Sequence, residues 1–496
     1  MKAPRPGRVA AIVLSCLAAA PTPTRAAGAP EALAYLQGML QDTKTANPTL
    51  AALRSTRDED LKPIYLAMTR SGDKKRRLFG VLALTELPAT DTAGILRERL
   101  AGDPVMAIRA EALRQLLDAN AITDEQLAQT LQIADEAIQG QAAIALVDRG
   151  QAALALKPLE KLADAKNVIL AGPVRACLLG LGQRDQLDPL RGIMRDADTP
   201  PAALAAILRR VERQKVTAAM PLVLHVAAEE DAPVAVRVLA YQAAAGLSSL
   251  GTVTLRDAIL NQKRTPLRAR LLKILAARAD AGPHLATIAK GTDALAALAR
   301  FEMARKTAGP TAAAAVTAAI DLEHPLVVAY VLDHAREDID ARPTACDYYV
   351  PALAKYIGSV DPHPGRMRKE HFLAAGAAAR LIALGTPTAL AALKTLLAGK
   401  ATAVTRTTAA GLLRAKNPAA RGLLRPLLKS PYLELSTDAA LALGHLGDPA
   451  ATERLGEILA KPKAQAPALV VLSSWYLLKI AGQSRAAANQ LAKLID

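Results

Sequence analysis

The sequence predicts an all-α fold, an α-solenoid of stacked helical hairpins, and three observations carry that expectation. The first is a recurring phrase: a polar or proline break, then a short apolar segment with an arginine near its start. It reads Asp103-Pro104-Val105 with Arg109, Gly172-Pro173-Val174-Arg175, Asp231 and Pro233 with Arg237, Thr265-Pro266-Leu267-Arg268, and Asp293 with Arg300. These arginines stand 66, 62, 31 and 32 residues apart, one clock of about 32 residues with a beat skipped twice. Such a period marks units that cannot bury an apolar face alone and stack on their neighbours. The second is composition, 51% hydrophobic but only 3% aromatic, which favours close helix packing over strands built from β-branched and aromatic residues. The third is length. A single globular core stops growing at about 250–300 residues, and 496 residues exceed it, whereas a one-dimensional core has no such ceiling.

The amino terminus reads as an export signal. Lys2, Arg5 and Arg8 give a positive start, residues 9–20 are apolar but too short to span a bilayer, and Thr24-Arg25-Ala26 offers small residues where a signal peptidase reads. Residues 1–26 are therefore set apart from the fold, and the mature chain is expected to begin near Ala27 in the periplasm or outside the cell. A lipoprotein anchored at Cys16 is the competing reading; it shortens the apolar stretch and places Leu14 where a small residue is usual. No later apolar run approaches the ~18 residues of a membrane span.

Export makes the cysteines informative. Cys177 and Cys346 lie too far apart for a fold of local contacts, so two separate thiols are expected. The net charge of +16 falls to +12 without the signal. That excess suits an acidic protein, an anionic membrane surface or a polyanionic glycan. Nucleic acid is not expected, since export and the scarcity of stacking aromatics both argue against it.

Residues 27–90 read as a less regular helical region, broken at Ser55-Thr56-Arg57-Asp58-Glu59-Asp60. Its Asp73-Lys74-Lys75-Arg76-Arg77 run opposes a helix dipole and reads as a solvated face. Residues 91–496 read as the solenoid. In its clearest unit, residues 92–100 form a first helix, Ala101-Gly102-Asp103 turns, and a second helix starts at Pro104, with Asp103 as cap. Val105, Ile108, Ala112, Leu113 and Leu116 then share one face. Residues 483–496 alternate apolar and polar positions as a terminal cap requires.

The segments Asp103-Pro104-Val105-Met106-Ala107-Ile108-Arg109-Ala110-Glu111-Ala112-Leu113 and Leu435-Ser436-Thr437-Asp438-Ala439-Ala440-Leu441-Ala442-Leu443-Gly444 resemble second helices of HEAT or HEAT-like repeats, including those of the pigment-attaching (PBS-lyase-type) group. The resemblance covers about residues 90–496. It implies a ladder in which a turn aspartate and a helix arginine join successive units, so that Arg109, Arg175, Arg237, Arg268, Arg300 and Arg406 read as packing residues; the alternative is that the same arginines line one concave surface and grip an anion. The arginine is missing from the units around residues 140–149 and 202–209. HEAT-like di-iron enzymes use repeated His-Glu pairs, and this chain has only the reversed Glu323-His324 and Glu370-His371.

No nucleophile elbow, phosphate loop, His-Glu-x-x-His or paired-cysteine spacing appears, so no catalytic residue, cofactor or metal ligand is assigned. One stretch stands apart. Arg300 and Arg406 are 106 residues apart, longer than three periods, and an expanded repeat around residues 334–371 gathers His334, His363, His371, Cys346 and several tyrosines. Insertions in solenoids tend to form loops on the binding face, and tyrosine and arginine anchor interfaces. Tyr348, Tyr349, Tyr356, His363, Arg366 and Arg368 are the candidate partner-binding residues. The functional expectation is an exported non-catalytic scaffold or adaptor that binds another protein. The alternatives are a metal-dependent or lyase-like accessory enzyme using the insertion, and a binder of envelope glycan or lipid.

Overall fold

The computed structural model describes residues 29–85, 89–262, 265–305, 309–322, 324–342, 345–360, 368–398, 402–412 and 419–495; the expected signal lies outside them. Among these residues there is no strand, and no helix is long and apolar enough to cross a membrane. The chain opens with α1 (Ala29–Gln41), α2 (Ala46–Ser55), α3 (Lys62–Arg70) and α4 (Lys74–Leu84). First and second helices then alternate: α5 (Ala89–Gly102) and α6 (Met106–Asp118), α7 (Asp124–Thr130) and α8 (Glu136–Asp148), α9 (Ala152–Ala163) and α10 (Val168–Gly180), α11 (Leu187–Arg195) and α12 (Pro201–Arg213), α13 (Met220–Ala228) and α14 (Val234–Leu247). They continue with α15 (Ser249–Asn261) and α16 (Thr265–Ala276), α17 (Gly282–Ala289) and α18 (Ala294–Arg305), α19 (Gly309–Ile320) and α20 (Pro325–Ala341), α21 (Val350–Ser359) and α22 (Lys369–Leu384), α23 (Pro387–Leu397) and α24 (Ala403–Leu412). The last helices are α25 (Ala419–Leu424), α26 (Leu433–His445), α27 (Thr452–Ala460), α28 (Pro467–Ile480) and α29 (Ser484–Ala492).

The chain divides into two compact units. Among the described residues, the larger comprises those from 77 to 398 with 402–404, and the smaller joins those from 29 to 76 to those from 405 to 495. In the larger unit the second helices from α6 to α22 form one continuous row, each packed on the next. The face read from the sequence of α6 is the buried one: Ile108, Ala112, Leu113 and Leu116 are all enclosed. Its start is corrected by two residues, from Pro104 to Met106. Pro104 precedes the helix, because Asp103 Oδ1 accepts from the amide of Val105 at 2.9 Å and holds that residue extended before Met106. Gly172-Pro173 is likewise not a break. Asn167 caps α10 through the amide of Ile169, and the helix runs through the proline, which forgoes only one ladder bond.

The periodic arginines close each turn. Arg109 Nε and Nη2 donate to the carbonyls of Leu100 and Ala101 at the end of the preceding first helix, at 2.7 and 3.1 Å. Arg237 reaches the carbonyl of Ala227 at 3.1 Å, Arg268 that of Ile259 at 2.6 Å, and Arg300 those of Ala289 and Gly291 at 2.8 and 3.1 Å. The last carbonyls of a helix have no partner within it, and a cation there also meets the negative end of the helix dipole. The remaining nitrogens reach onward: Arg237 to Gln262, Arg268 to within 3.6 Å of Asp293, Arg406 to Asp438 at 3.0 Å. Arg175, placed a turn later, bonds Asp164 and Gln186. Where the sequence lacks the arginine, smaller donors take over. Gln139 Nε2 donates to the carbonyl of Leu131 at 3.0 Å, and Thr199 Oγ1 to that of Ile193 at 2.7 Å. Arg77, one period before Arg109, is not solvated: it is buried and bonds Asp103 Oδ2 at 3.0 Å.

The smaller unit pairs the two ends of the chain. Helix α28 packs on α26 and α27, and also on α1 and α2, while α29 packs on α3. Covered on several sides, α28 buries Val470, Val471, Trp475, Tyr476, Leu477 and Leu478 around its circumference. Gly444 of α26 lets it approach, since a Cβ there would stand 2.8 Å from the Cβ of Tyr476. The break at residues 55–60 supplies the polar link. Asp58 Oδ2 accepts from Trp475 Nε1 at 3.2 Å and Lys479 Nζ at 2.6 Å, and Ser484 Oγ donates to Asp60. The last helix has the two faces its sequence predicts, Ala487, Ala488 and Leu491 buried and Arg485, Asn489, Gln490 and Lys493 exposed, but its buried face packs on the early helix α3 as well as on α28.

Two outcomes test these contacts. Arg237→Met keeps most of the buried stem but leaves the Ala227 carbonyl without its donor, so urea unfolding should show a loss of about 1–3 kcal/mol; a change below about 0.5 kcal/mol, ordinary for surface sites, would mean that the clasp is incidental. Asp58→Ala should cost the smaller unit about 3 kcal/mol, since it strands a buried indole N–H and an ammonium. Emission from Trp475, the only tryptophan, reads that loss directly.

Candidate docking surface

The expanded repeat is built from length added to helices and their links: α20 has 17 residues, α22 has 16, and a 3-10 turn, Asp347–Tyr349, enters α21. His363 and Arg366 lie outside the described residues. Tyr349 and Tyr356, expected as docking side chains, are buried at 0% and 6% exposure and present nothing to a partner. Tyr348 is half-buried, its ring 4.4 Å from that of Tyr349. Arg368 is exposed at the start of α22, where its backbone N–H donates to Nδ1 of the buried His371 at 3.1 Å. The six candidates therefore do not form one surface. Cys177 and Cys346 are free and buried, and no group of three His, Cys, Asp or Glu among the described residues is placed to hold a metal.

What the tyrosines and His334 join is an internal polar network. Glu302 on α18, fully buried, accepts from Tyr330 Oη at 2.5 Å and Arg305 Nε at 2.7 Å, and His334 Nε2 lies 2.8 Å away. Arg305 Nη1 continues to Asp338 at 2.8 Å, and Tyr349 Oη donates to the other Asp338 oxygen at 2.7 Å. His334 Nδ1 stands 3.2 Å from Glu337, which pairs with Lys273 of α16 at 2.7 Å. Burial alone would raise the Glu302 carboxyl, but His334, Arg305 and Tyr330 hold it down at about 2. Burial raises the Tyr349 phenol far above its usual value, reinforced by Asp338, and lifts Tyr348 to about 12.

The sign of the Glu302 shift fixes a pH dependence. Its folded value lies below the ordinary 4.5, so its contribution is complete above that pH and lost as pH falls toward about 2. The contribution is on the order of 3 kcal/mol. Melts between pH 6 and pH 2 should show wild-type stability declining over that window, and Glu302→Gln should be weaker at pH 6 and flatter on acidification. An unchanged acid slope in the variant would remove Glu302 from the network's energetics.

An open groove lies instead along the second-helix row of the larger unit, with a volume of about 510 Å³. Arg114, Leu117 and Asp118 of α6 form one wall, Gln141, Ile144, Ala145 and Asp148 of α8 the floor, and Arg210 and Arg213 of α12 the far wall, with Asn120 and Arg149 at the helix ends. The far wall reaches α8 across the intervening α10. A Cβ on Gly172 of α10 would lie 2.6 Å from Cδ1 of the buried Ile207 of α12, so a larger residue there would require Ile207 to shift. Arg210 then grips Asp148 with both terminal nitrogens, and Arg213 adds a contact at 3.1 Å. Arg149 is fixed by the Ile122 carbonyl, Asp124 and Asn120. The periodic arginines are absent from this lining, and so the sequence clock did not point to it; the closest sequence signal is the arginine cluster Arg209, Arg210 and Arg213.

No protein-family model matches the chain, and a search of curated proteins gives no match. Solved helical-repeat structures are similar at low identity. The karyopherin Kap121p bound to the extreme C-terminus of the protein phosphatase Cdc14p aligns at 14% identity and a TM-score of 0.35, covering 94% of this chain and 55% of that one. Uso1-1 aligns at 12% identity and 0.30, covering 84% and 88%. Human deoxyhypusine hydroxylase aligns at 13% and 0.19, covering 73% and 98%. The chain thus spans about half the length of the karyopherin. These likenesses carry no argument about partners or chemistry; the hairpin stack itself is consistent with HEAT-like repeats.

Proposed function

We propose that the protein is an exported, non-catalytic scaffold that binds another protein through the second-helix face of its larger unit. The observation that supports this reading is the α6–α12 groove, whose walls are set before any partner arrives, the far one by the enclosed Arg210–Asp148 pair and the near one by the surface pairing of Arg114 with Glu111 and Asp118. Preformed walls lower the ordering cost of association. Arginine is enriched among residues that dominate interface energy, and here its donors are already oriented. Export rests on residues 1–26 and belongs to the same proposal, placing the partner in the periplasm or outside the cell.

The experiment is site-specific photo-cross-linking in the cell envelope. A photoreactive residue at exposed Gln141 in the groove should give one discrete protein adduct, whereas the same residue at exposed Lys157 on the first-helix face should give none. Mass spectrometry of that material should find Ala27 as the first residue. Equal labelling from both positions, or none from either, would sink the groove as the docking site; an acylated Cys16 would replace a freely exported protein by an anchored one.

A further inference from the structure

We infer that a cleft between the first helices α5 and α7 binds a small carboxylate that carries amide groups, as a short peptide does. The site lies apart from the second-helix groove and does not depend on the scaffold reading. It opens where α7, only seven residues long, runs out beside the end of α5, and its volume of about 550 Å³ falls in the range of small-ligand sites. Two guanidiniums line it, Arg97 of α5 and Arg109 of α6, and no carboxylate does. The carboxylates nearest in sequence are engaged elsewhere: Glu98 with Arg99, Asp103 with Arg77 and Arg99, Asp124 with Arg149, Glu125 with Thr123, and Asp135 with the amide of Ile138. Among the described residues the hydrogen-bond partners of the two arginines are neutral. Exposed Arg97 gives one bond, from Nη2 to the Ala121 carbonyl at 2.7 Å. Arg109 gives Nε and Nη2 to the carbonyls that end α5, and its Nη1 meets only the Met106 thioether at 3.9 Å. The carbonyls that end a helix carry together about half a negative charge, so the cleft retains a positive excess. In the second-helix groove, by contrast, each arginine faces a carboxylate.

Three side-chain amides on the α7 side choose among anions. Gln129 and Gln132 are exposed and bond nothing through their side chains among the described residues, and Gln126 uses only its Oε1, which accepts from the amide of Thr123 at 3.0 Å. A primary amide presents both an N–H donor and an oxygen acceptor. A guanidinium fork takes a carboxylate through two parallel bonds, and the glutamine oxygens then accept N–H groups from the same ligand. An inorganic anion or a fatty acid has no such group, whereas a peptide with a free carboxylate supplies both. The lining holds no aromatic ring on which a nucleobase could stack.

Saturation-transfer NMR on the full chain tests this, with acetyl-tetraalanine as the probe and its C-terminal amide, octanoate and glucuronate as comparators. The free acid should bind roughly tenfold more tightly than each comparator, since the first lacks the charge and the other two lack amides. Arg97→Gln should weaken the free acid roughly tenfold. Gln129→Glu with Gln132→Glu, at two exposed positions whose side chains bond nothing in the fold, turns that wall negative and should remove binding while leaving the thermal melt unchanged. Lys157→Gln with Lys161→Gln shifts the net charge by the same amount on the exposed face of α9 and should alter binding less than about twofold. Equal losses in the two double variants would reduce the effect to the general charge of the chain and overturn the proposal. Equal binding of the acid and its amide, no binding of the acid, or octanoate or glucuronate bound as tightly would overturn it too. The cross-link at Gln141 reads the scaffold alone, so either result can fail without the other.

Discussion

The ends of the first helices set the terms for the rest of the fold. Each carries carbonyls that its own backbone cannot satisfy, and each lies against the start of a second helix. One long cationic side chain per period answers the need, because an arginine on the first turn or two of the second helix, such as Arg109, Arg237 or Arg268, reaches back nine or ten residues to those oxygens. Its spare nitrogens then touch the next hairpin, as Arg268 approaches Asp293 and Arg77 bonds Asp103. Closing a turn and registering the following unit are therefore one interaction. A lysine, with a single nitrogen, could not serve both directions, and this is a physical reason for arginine to recur at this position.

The same requirement explains how much of the architecture was legible. Period, helix type and buried faces follow from residues close in sequence, and α6 buries the positions its 3.6-residue pattern marks. The ladder seemed to lapse where arginine is missing, yet Gln139 and Thr199 donate to the equivalent carbonyls. A pattern search for one residue type cannot see a role that another donor fills. The pairing of the chain's ends was hidden for a different reason: Asp58 and Trp475 are 417 residues apart, and no local rule joins them. A signal was nevertheless present in residues 467–480, where Val470, Val471, Trp475, Leu477 and Leu478 leave α28 without the wet face that a terminal unit needs.

The expanded repeat shows where compositional reasoning turns over. Tyrosine, histidine and arginine gathered in an Ala/Leu-rich chain look like an interface, and the same residues are what a helix stack needs when a carboxylate must be buried. Glu302 is fully enclosed between α18 and α20, and an isolated buried carboxylate would be strongly unfavourable. Tyr330, Arg305 and His334 surround it, and Tyr349 and Arg305 meet Asp338. The cluster is thus the shell of two acids. Burial, which the sequence does not state, decides between anchor and shell.

The groove follows from the opposite economy, removal of side chain where polar reach is needed. Gly172 on α10 leaves room for Ile207 of α12, and Arg210 of α12 passes α10 to bind Asp148 on α8, 62 residues earlier. Lys273 and Glu337 make a second link of nearly the same span, from α16 to α20 across α18. In both places the second-helix row is stitched over two periods, which resists sliding of the helix between them. The outcome differs with what surrounds the stitch. Around Glu337 the polar groups turn inward to the Glu302 network, whereas at Asp148 the arginines flank an open floor of Gln141, Ile144 and Ala145. This contrast, an open floor at one stitch and an enclosed network at the other, is why we propose docking on the α6–α12 face and read the tyrosines as packing.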